Sequence, residues 1–167
     1  MDERQRGLLR SWELGELPVE DFRRSFPAAQ LDDPAWLEAE LAEALRSGTS
    51  EALDDVAQLV LLSTARNVDL KNRLLVTPGH RHHQAIARSL QAIADPSTVA
   101  FVRRALQLGY EHLEYTASEP DVITKWFSWL LFEIGTREAI EVMREFAGSR
   151  DQAVADEMRY RLAKLSQ

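Results

Sequence analysis

IARSLQAIADPSTVAFVRRAL, residues 86–106, can be laid on FSWLLFEIGTREAIEVMREFA, residues 127–147, at an offset of 41 positions. Ile86 falls on Phe127, Leu90 on Leu131, Ile93 on Ile134, Val99 on Ile140 and Val102 on Met143, so each apolar position returns in phase. The Asp95-Pro96 turn takes the place of Gly135-Thr136. A further half-unit, AVADEMRYRLAKL, fits at an offset of 31 and sets Val154, Met158, Leu162 and Leu165 on Ile123, Phe127, Leu131 and Ile134. A helix ending in Leu-x-x-Ile, a two-residue turn and a second helix form one helical-hairpin repeat. One hairpin cannot shelter its own apolar face, so several must stack, which builds a continuous core and leaves one row of helices lining an inner surface. The expected fold is all-α, a right-handed α-solenoid of stacked hairpins with about ten helices; an irregular bundle with a chance likeness between two segments is the alternative.

Working outward, Pro, Gly and capping residues punctuate segments whose apolar residues recur with a period near 3.6. In DDPAWLEAELAEAL, Asp33 can cap a helix that starts at Pro34, because the N–H that proline lacks is one left unpaired in any first turn. The same grammar recurs at Asp95-Pro96, and Ser118 followed by Asp121 resembles a capping box. Helices are predicted at about 2–14, 18–26, 34–47, 50–65, 68–77, 81–94, 96–108, 120–134, 137–147 and 151–165. VAQLVLLST is partly β-branched, but it continues directly from SEALDD and has no partner strand in view. The whole chain, 1–167, reads as one domain, with 1–65 an N-terminal helical cap region and 66–167 the repeats.

With 45% hydrophobic and 28% charged residues, the composition is that of a packed globular protein. The absence of cysteine removes disulfides, thiolate metal sites and thiol nucleophiles, and fits a reducing cytoplasm. MDERQRGLLRSW has no apolar run before a cleavage site, and nowhere do about 18 apolar residues follow one another, so a soluble, cytoplasmic protein without membrane contact is expected. A net charge of −7 argues against a phosphate-tracking protein, which would present Lys and Arg to displace counterions. Residues 1–60 hold 14 acids and 6 bases, whereas 61–110 hold 2 acids and 7 bases, so the middle alone is basic. A solvated helix face explains that segment more simply than an anion site.

The stretch 79–147 contains GHRHHQAIARSLQAIADPSTV, YEHLEY and WLLFEIGTREAI. It resembles a group of small bacterial HEAT-like proteins, many of them immunity proteins of polymorphic toxin systems. That group shows Trp-His, two residues, His-Glu-Asp-Ile, then Leu-Gln, an Asp-Pro turn, a Tyr-rich loop and a Trp-Ala-Leu helix ending in Ile-Gly-Thr. His80, His83, Ile86, Leu90, Gln91, Asp95, Pro96, Leu113, Tyr115, Trp129, Leu131, Ile134, Gly135 and Thr136 stand at the matching places. LLRSWELGELPVEDFRRSFP is similar to the opening of such proteins, a short helix, a Gly turn and a Glu-Phe helix. Gly79 replaces the tryptophan, Gln84 and Ala85 replace the acidic pair, and ASEP at 117–120 departs in charge and length. The resemblance implies a HEAT/armadillo-like fold and a protein that neutralises a toxin by binding it.

Chemistry-bearing constellations are few. His80, His82 and His83 are the nearest to a metal set, but neighbours on a helix diverge by about 100°, so only His80 and His83 share a face, and two imidazoles fall short of a site. Capping and packing at a turn between repeats account for them. Asp32-Asp33 and Asp54-Asp55 are paired carboxylates of the kind hydrolases use, yet each pair falls near an expected helix start, where capping explains it. HExxH, GxSxG and Walker patterns are missing. No catalytic residue, metal or cofactor is expected.

The repeat also assigns a second stripe. Phe127, Leu130, Leu131 and Ile134 take the core positions, which leaves Trp126 and Trp129 on an adjoining stripe. The two offsets carry it to Arg81 and Arg88 on the preceding repeat and to Glu157, Tyr160 and Lys164 on the last half-unit. Trp, Tyr and Arg are the residues that most often anchor protein interfaces, since they bury large area with a polar handle. The expected function is therefore non-catalytic protein binding by a chain monomeric when free, with a secreted toxin domain as partner and no nucleic acid. The alternatives are a HEAT-like adaptor for an endogenous complex and a HEAT-like DNA glycosylase acting through Asp121.

Overall fold

The structure, a computed structural model, describes residues 1–116 and 118–165. Eleven α-helices and two 3₁₀ turns, and no strand, are found among the described residues. By internal packing the chain divides into two compact units, Met1–Asn67 and Val68–Gln167. No helix among the described residues is long and apolar enough to cross a membrane.

The first unit holds α1 (Glu3–Glu13), α2 (Val19–Ser25), α3 (Ala28–Leu31), α4 (Pro34–Ser47) and α5 (Ser50–Leu62). A capping box not foreseen from the sequence starts α1: the Asp2 carboxylate accepts from the Gln5 N–H, and the Gln5 side chain accepts from the Asp2 N–H, both at 2.8 Å. Asp33 caps α4 through the Ala35 N–H with Pro34 in the first turn, and Gly48 closes the helix at φ 66°, in the left-handed region. α1 packs on α2 and α4 on α5, while α3 touches both α4 and α5. Phe22 and Phe26 stack at 5.2 Å in the middle, and Trp12 and Trp36 close on them from either side. Both phenylalanines, with Leu9, Leu37 and Leu41, are fully buried, and each contributes roughly 1.5–3 kcal/mol. Asp32 is not a cap. Its carboxylate accepts from Ser63 Oγ at 3.0 Å and the Thr64 N–H at 2.7 Å, which ties the α3–α4 corner to the end of α5. Burial works against that charge, but the hydrogen bonds from Thr64 and Ser63 outweigh it and hold the carboxyl below its ordinary value.

The second unit holds α6 (Val68–Leu75), α7 (His83–Ile93), α8 (Val99–Leu108), α9 (Pro120–Ile134), α10 (Arg137–Phe146) and α11 (Gln152–Leu165), with 3₁₀ turns at Pro96–Thr98 and Glu111–Thr116. α9 packs on α7 on one side and on α11 on the other, and α8 lies between α6 and α10 in the same way. The in-phase residues Ile86, Leu90, Val99, Val102, Phe127, Leu131 and Met143 are all buried. Ala94 and Gly135, 41 positions apart, adopt the same left-handed cap, with φ of 53° and 62°. Their N–H groups donate to Leu90 and Leu131 respectively, themselves repeat equivalents. Thr136 then caps α10 through the Ala139 N–H, and Asp95 caps its turn through Ser97.

Several expectations are corrected in detail. The predicted helix at 96–108 opens as a 3₁₀ turn and becomes α only at Val99, and α7 begins at His83 instead of residue 81. Ser118 forms no capping box, because Glu119 is the N-cap of α9 and no side chain caps it. α3 and the 3₁₀ turn at Glu111–Thr116 lie where no helix was expected.

Candidate functional site

On the second unit, α9 and α11 bring four of the anticipated residues together around one that was not anticipated. Arg161 occupies the position that the 31-residue offset lays on Leu130, a core site, and it is buried at 6% exposure. A guanidinium taken out of water must be paired and hydrogen-bonded. Glu157, one turn earlier on α11, supplies the charge: Arg161 Nε donates to Glu157 Oε1 at 2.9 Å, and both side chains are nearly covered. Ser128 on α9 joins them. Its hydroxyl donates to Glu157 Oε1 at 2.7 Å and accepts from Arg161 Nε at 3.2 Å, which links the two helices through one polar triad.

The guanidinium carbon lies 3.9 Å from the Trp129 ring centroid and 5.2 Å from that of Tyr160. Lys164 Nζ stands 5.6 Å from the Tyr160 ring. All three fall within the reach of cation–π attraction. Phe132 meets Trp129 edge-on at 5.7 Å and steadies it from its own helix. Trp129 is 42% and Tyr160 51% exposed, so two large rings face solvent in an arrangement fixed from beneath. The cluster thus offers apolar area without much freedom left to lose on docking. Beside it, Asp121 and Lys125 pair at 2.9 Å; that bond holds the Asp121 carboxyl below, and the Lys125 amine above, their ordinary values.

The remaining anticipated residues lie elsewhere. Trp126 is a correction: it is buried at 8% exposure, and its carbonyl accepts from Gln91 Nε2 of α7 at 2.8 Å. Because α9 is covered by α7 on one side and α11 on the other, the turn that faces α7 cannot also face solvent. Arg81 lies in the turn before α7, so the helical stripe does not extend to it, and Arg88 is exposed on α7. The signal that would have revealed Arg161 was present in the sequence: a charged residue falling on the core stripe, with an acid four positions before it.

His80 and His83 are both buried and stack face to face, with centroids 3.9 Å apart at 11°. His80 Nε2 bonds the Leu74 carbonyl at 2.8 Å while its Nδ1 accepts from the His82 N–H. His83 Nε2 bonds the Thr77 carbonyl at 2.9 Å, and its Nδ1 meets the Tyr115 hydroxyl at 2.9 Å. Carbonyls at both Nε2 atoms require donors there, which makes these imidazoles structural ties for the turn before α7. No set of three or more His, Cys, Asp or Glu that could hold a metal stands together among the described residues. Tyr110, whose hydroxyl bonds Thr124 at 2.8 Å, is pushed up to about 12 by burial.

On the first unit, the Asp54-Asp55 pair does not cap α5, which is another correction. Thr49 is the N-cap, and both acids lie beyond the first turn. Asp55 instead lines a cleft of about 310 Å³ between α5 and α1, with Glu51, Glu3, Arg6, Gly7 and Arg10. Arg10 pairs with Glu51 at 2.7 Å across it. Burial first, then the charges of Glu13 and Glu51, raise the Asp55 carboxyl to about 6 against the opposing effect of Arg6 and Arg10. A comparison with known protein families, curated proteins and solved structures finds no match to this chain.

Proposed function

We propose that this chain is a non-catalytic protein-binding module of the HEAT-like, right-handed solenoid kind, and that it neutralises a bacterial toxin domain by covering it. On this reading it works in the cytoplasm without a cofactor and is monomeric until the partner docks. The observation that carries the proposal is the half-exposed pair Trp129 and Tyr160, held around buried Arg161 by Glu157 and Ser128. Exposed aromatics with a pre-ordered arginine are what interface hot spots are made of. The matched left-handed caps at Ala94 and Gly135 support the repeat that the solenoid needs. The toxin reading draws its support from the resemblance of residues 79–147 alone.

The test is co-expression with the product of the gene encoded immediately upstream, scored by cell survival and by co-purification. Protection together with a stable complex is the expected result. Trp129→Ala and Tyr160→Ala should each weaken that complex by roughly 2 kcal/mol, about thirtyfold, if they are hot spots. Survival without any complex, or a complex indifferent to both substitutions, rejects the reading.

A further inference from the structure

The cleft between α1 and α5 is formed in part by a residue the helix would rather not have. Gly7 lies in the middle of α1, where glycine is a poor helix former, and its backbone is ordinary right-handed helix. A Cβ placed there would meet nothing within 4 Å. Neither a turn nor a close approach asks for glycine at this position. What the missing side chain does leave is open space along the cleft wall, bordered one turn away on each side by Glu3 and Arg10 and by Arg6 next to it.

The charged groups facing this space are unequally committed. Arg10 and Glu51 bind each other, whereas Asp55, half-buried on the opposite wall, has no hydrogen-bond partner among the described residues. Glu3 is exposed at the cleft edge and Arg6 stands across from Asp55. A carboxylate short of water and crowded by Glu13 and Glu51 is relieved by a donor-rich cation that brings its own hydrogen bonds.

We propose that the α1–α5 cleft receives the cationic head of a Lys or Arg side chain from the protein partner, with Asp55 as its principal acceptor and Gly7 leaving the room for it. The source of that side chain rests on the protein-binding reading above; the chemistry of the cleft does not. The residues beside Asp55 fit this occupant. The cleft is wide enough for an alkyl-guanidinium, Glu3 and Glu51 offer further oxygens, and the first sixty residues carry 14 acids against 6 bases. After burial, the charges of Glu13 and Glu51 raise the Asp55 carboxyl, and a cation set against it would oppose both.

The experiment follows the Asp55 carboxyl carbon by NMR in the full chain, titrated with pH in the presence and absence of blocked arginine, blocked lysine and blocked glutamate. The expected result is that the Asp55 midpoint falls from about 6 towards its ordinary value with arginine or lysine and does not move with glutamate. Affinity for the cation should drop about tenfold for each pH unit below that midpoint, because only the ionised carboxylate accepts it. Asp55→Asn and Gly7→Leu should both lose the interaction, the first by removing the acceptor and the second by filling the space. Asp121→Asn, on the other unit, should retain it. A midpoint unmoved by both cations, a response to glutamate, or binding that survives Gly7→Leu overturns the proposal. Should the upstream gene product form no complex while the midpoint still shifts, the toxin reading fails and the cationic cleft stands. A complex that forms but ignores Asp55→Asn refutes the cleft as a partner contact.

Discussion

Asp55 ionises near 6 in the folded chain against an ordinary value of 3.8, so between those values the folded state holds a proton the unfolded chain has lost. Stability contributed by this group therefore falls as pH rises through that window. Asp55→Asn should raise stability at pH 7, by on the order of 1 kcal/mol once the screening of a half-exposed group is allowed for, and change little near pH 4. Urea unfolding at the two pH values measures the difference; equal effects at both would contradict it. Arg161 and Glu157 present the opposite case, two buried charges that need each other. Glu157→Ala should cost about 3 kcal/mol by stranding the guanidinium, and the double variant Glu157→Leu with Arg161→Met should recover most of the loss. Ala94 sits at φ 53°, a conformation that burdens a Cβ, where its repeat equivalent is glycine. Ala94→Gly should therefore stabilise by roughly 1 kcal/mol, read as a higher urea midpoint with an unchanged slope.

At the scale of elements, α1 owes its start to the Asp2–Gln5 capping box and gives up stability at Gly7. Gly7→Ala should return about 0.5–1 kcal/mol without a clash, since nothing lies within reach of the added methyl. A thermal melt that falls with this substitution would show that glycine has a structural duty there after all. The ten helices other than α3 among the described residues were legible because their apolar residues recur at helical spacing and several of their ends carry Asp-Pro, Gly or Thr signals, as at Asp33-Pro34 and Gly135-Thr136. The four-residue α3 and the 3₁₀ turn at Glu111–Thr116 were not, since neither is long enough to show a period. The juxtaposition of Trp129, Tyr160 and Lys164 was legible from the repeat offsets, whereas Glu157, expected on the same partner-facing stripe, turns inwards to pair with Arg161. Trp126 was misplaced because a stripe says which side chains share a face but not which neighbouring helix covers it. Asp55 was misread for a related reason: a cleft between α1 and α5 depends on contacts that no local pattern in either helix records.

For the whole molecule, charge is the property that reaches furthest. A net −7, concentrated in the first sixty residues, should steer a basic partner inwards. Association with that partner should slow by roughly tenfold between low and physiological ionic strength, with dissociation much less affected. Stopped-flow mixing over a salt series measures both rates, and a salt-independent on-rate would remove electrostatics from the account. Of the four tryptophans, Trp129 is the exposed one, and it is the one stacked against a guanidinium. Indole fluorescence responds to nearby fields and to hydration, so the proposed docking surface comes with its own optical gauge. Covering that ring should move the red edge of the emission towards the blue, and the arrival of a binding protein can be timed without any attached dye.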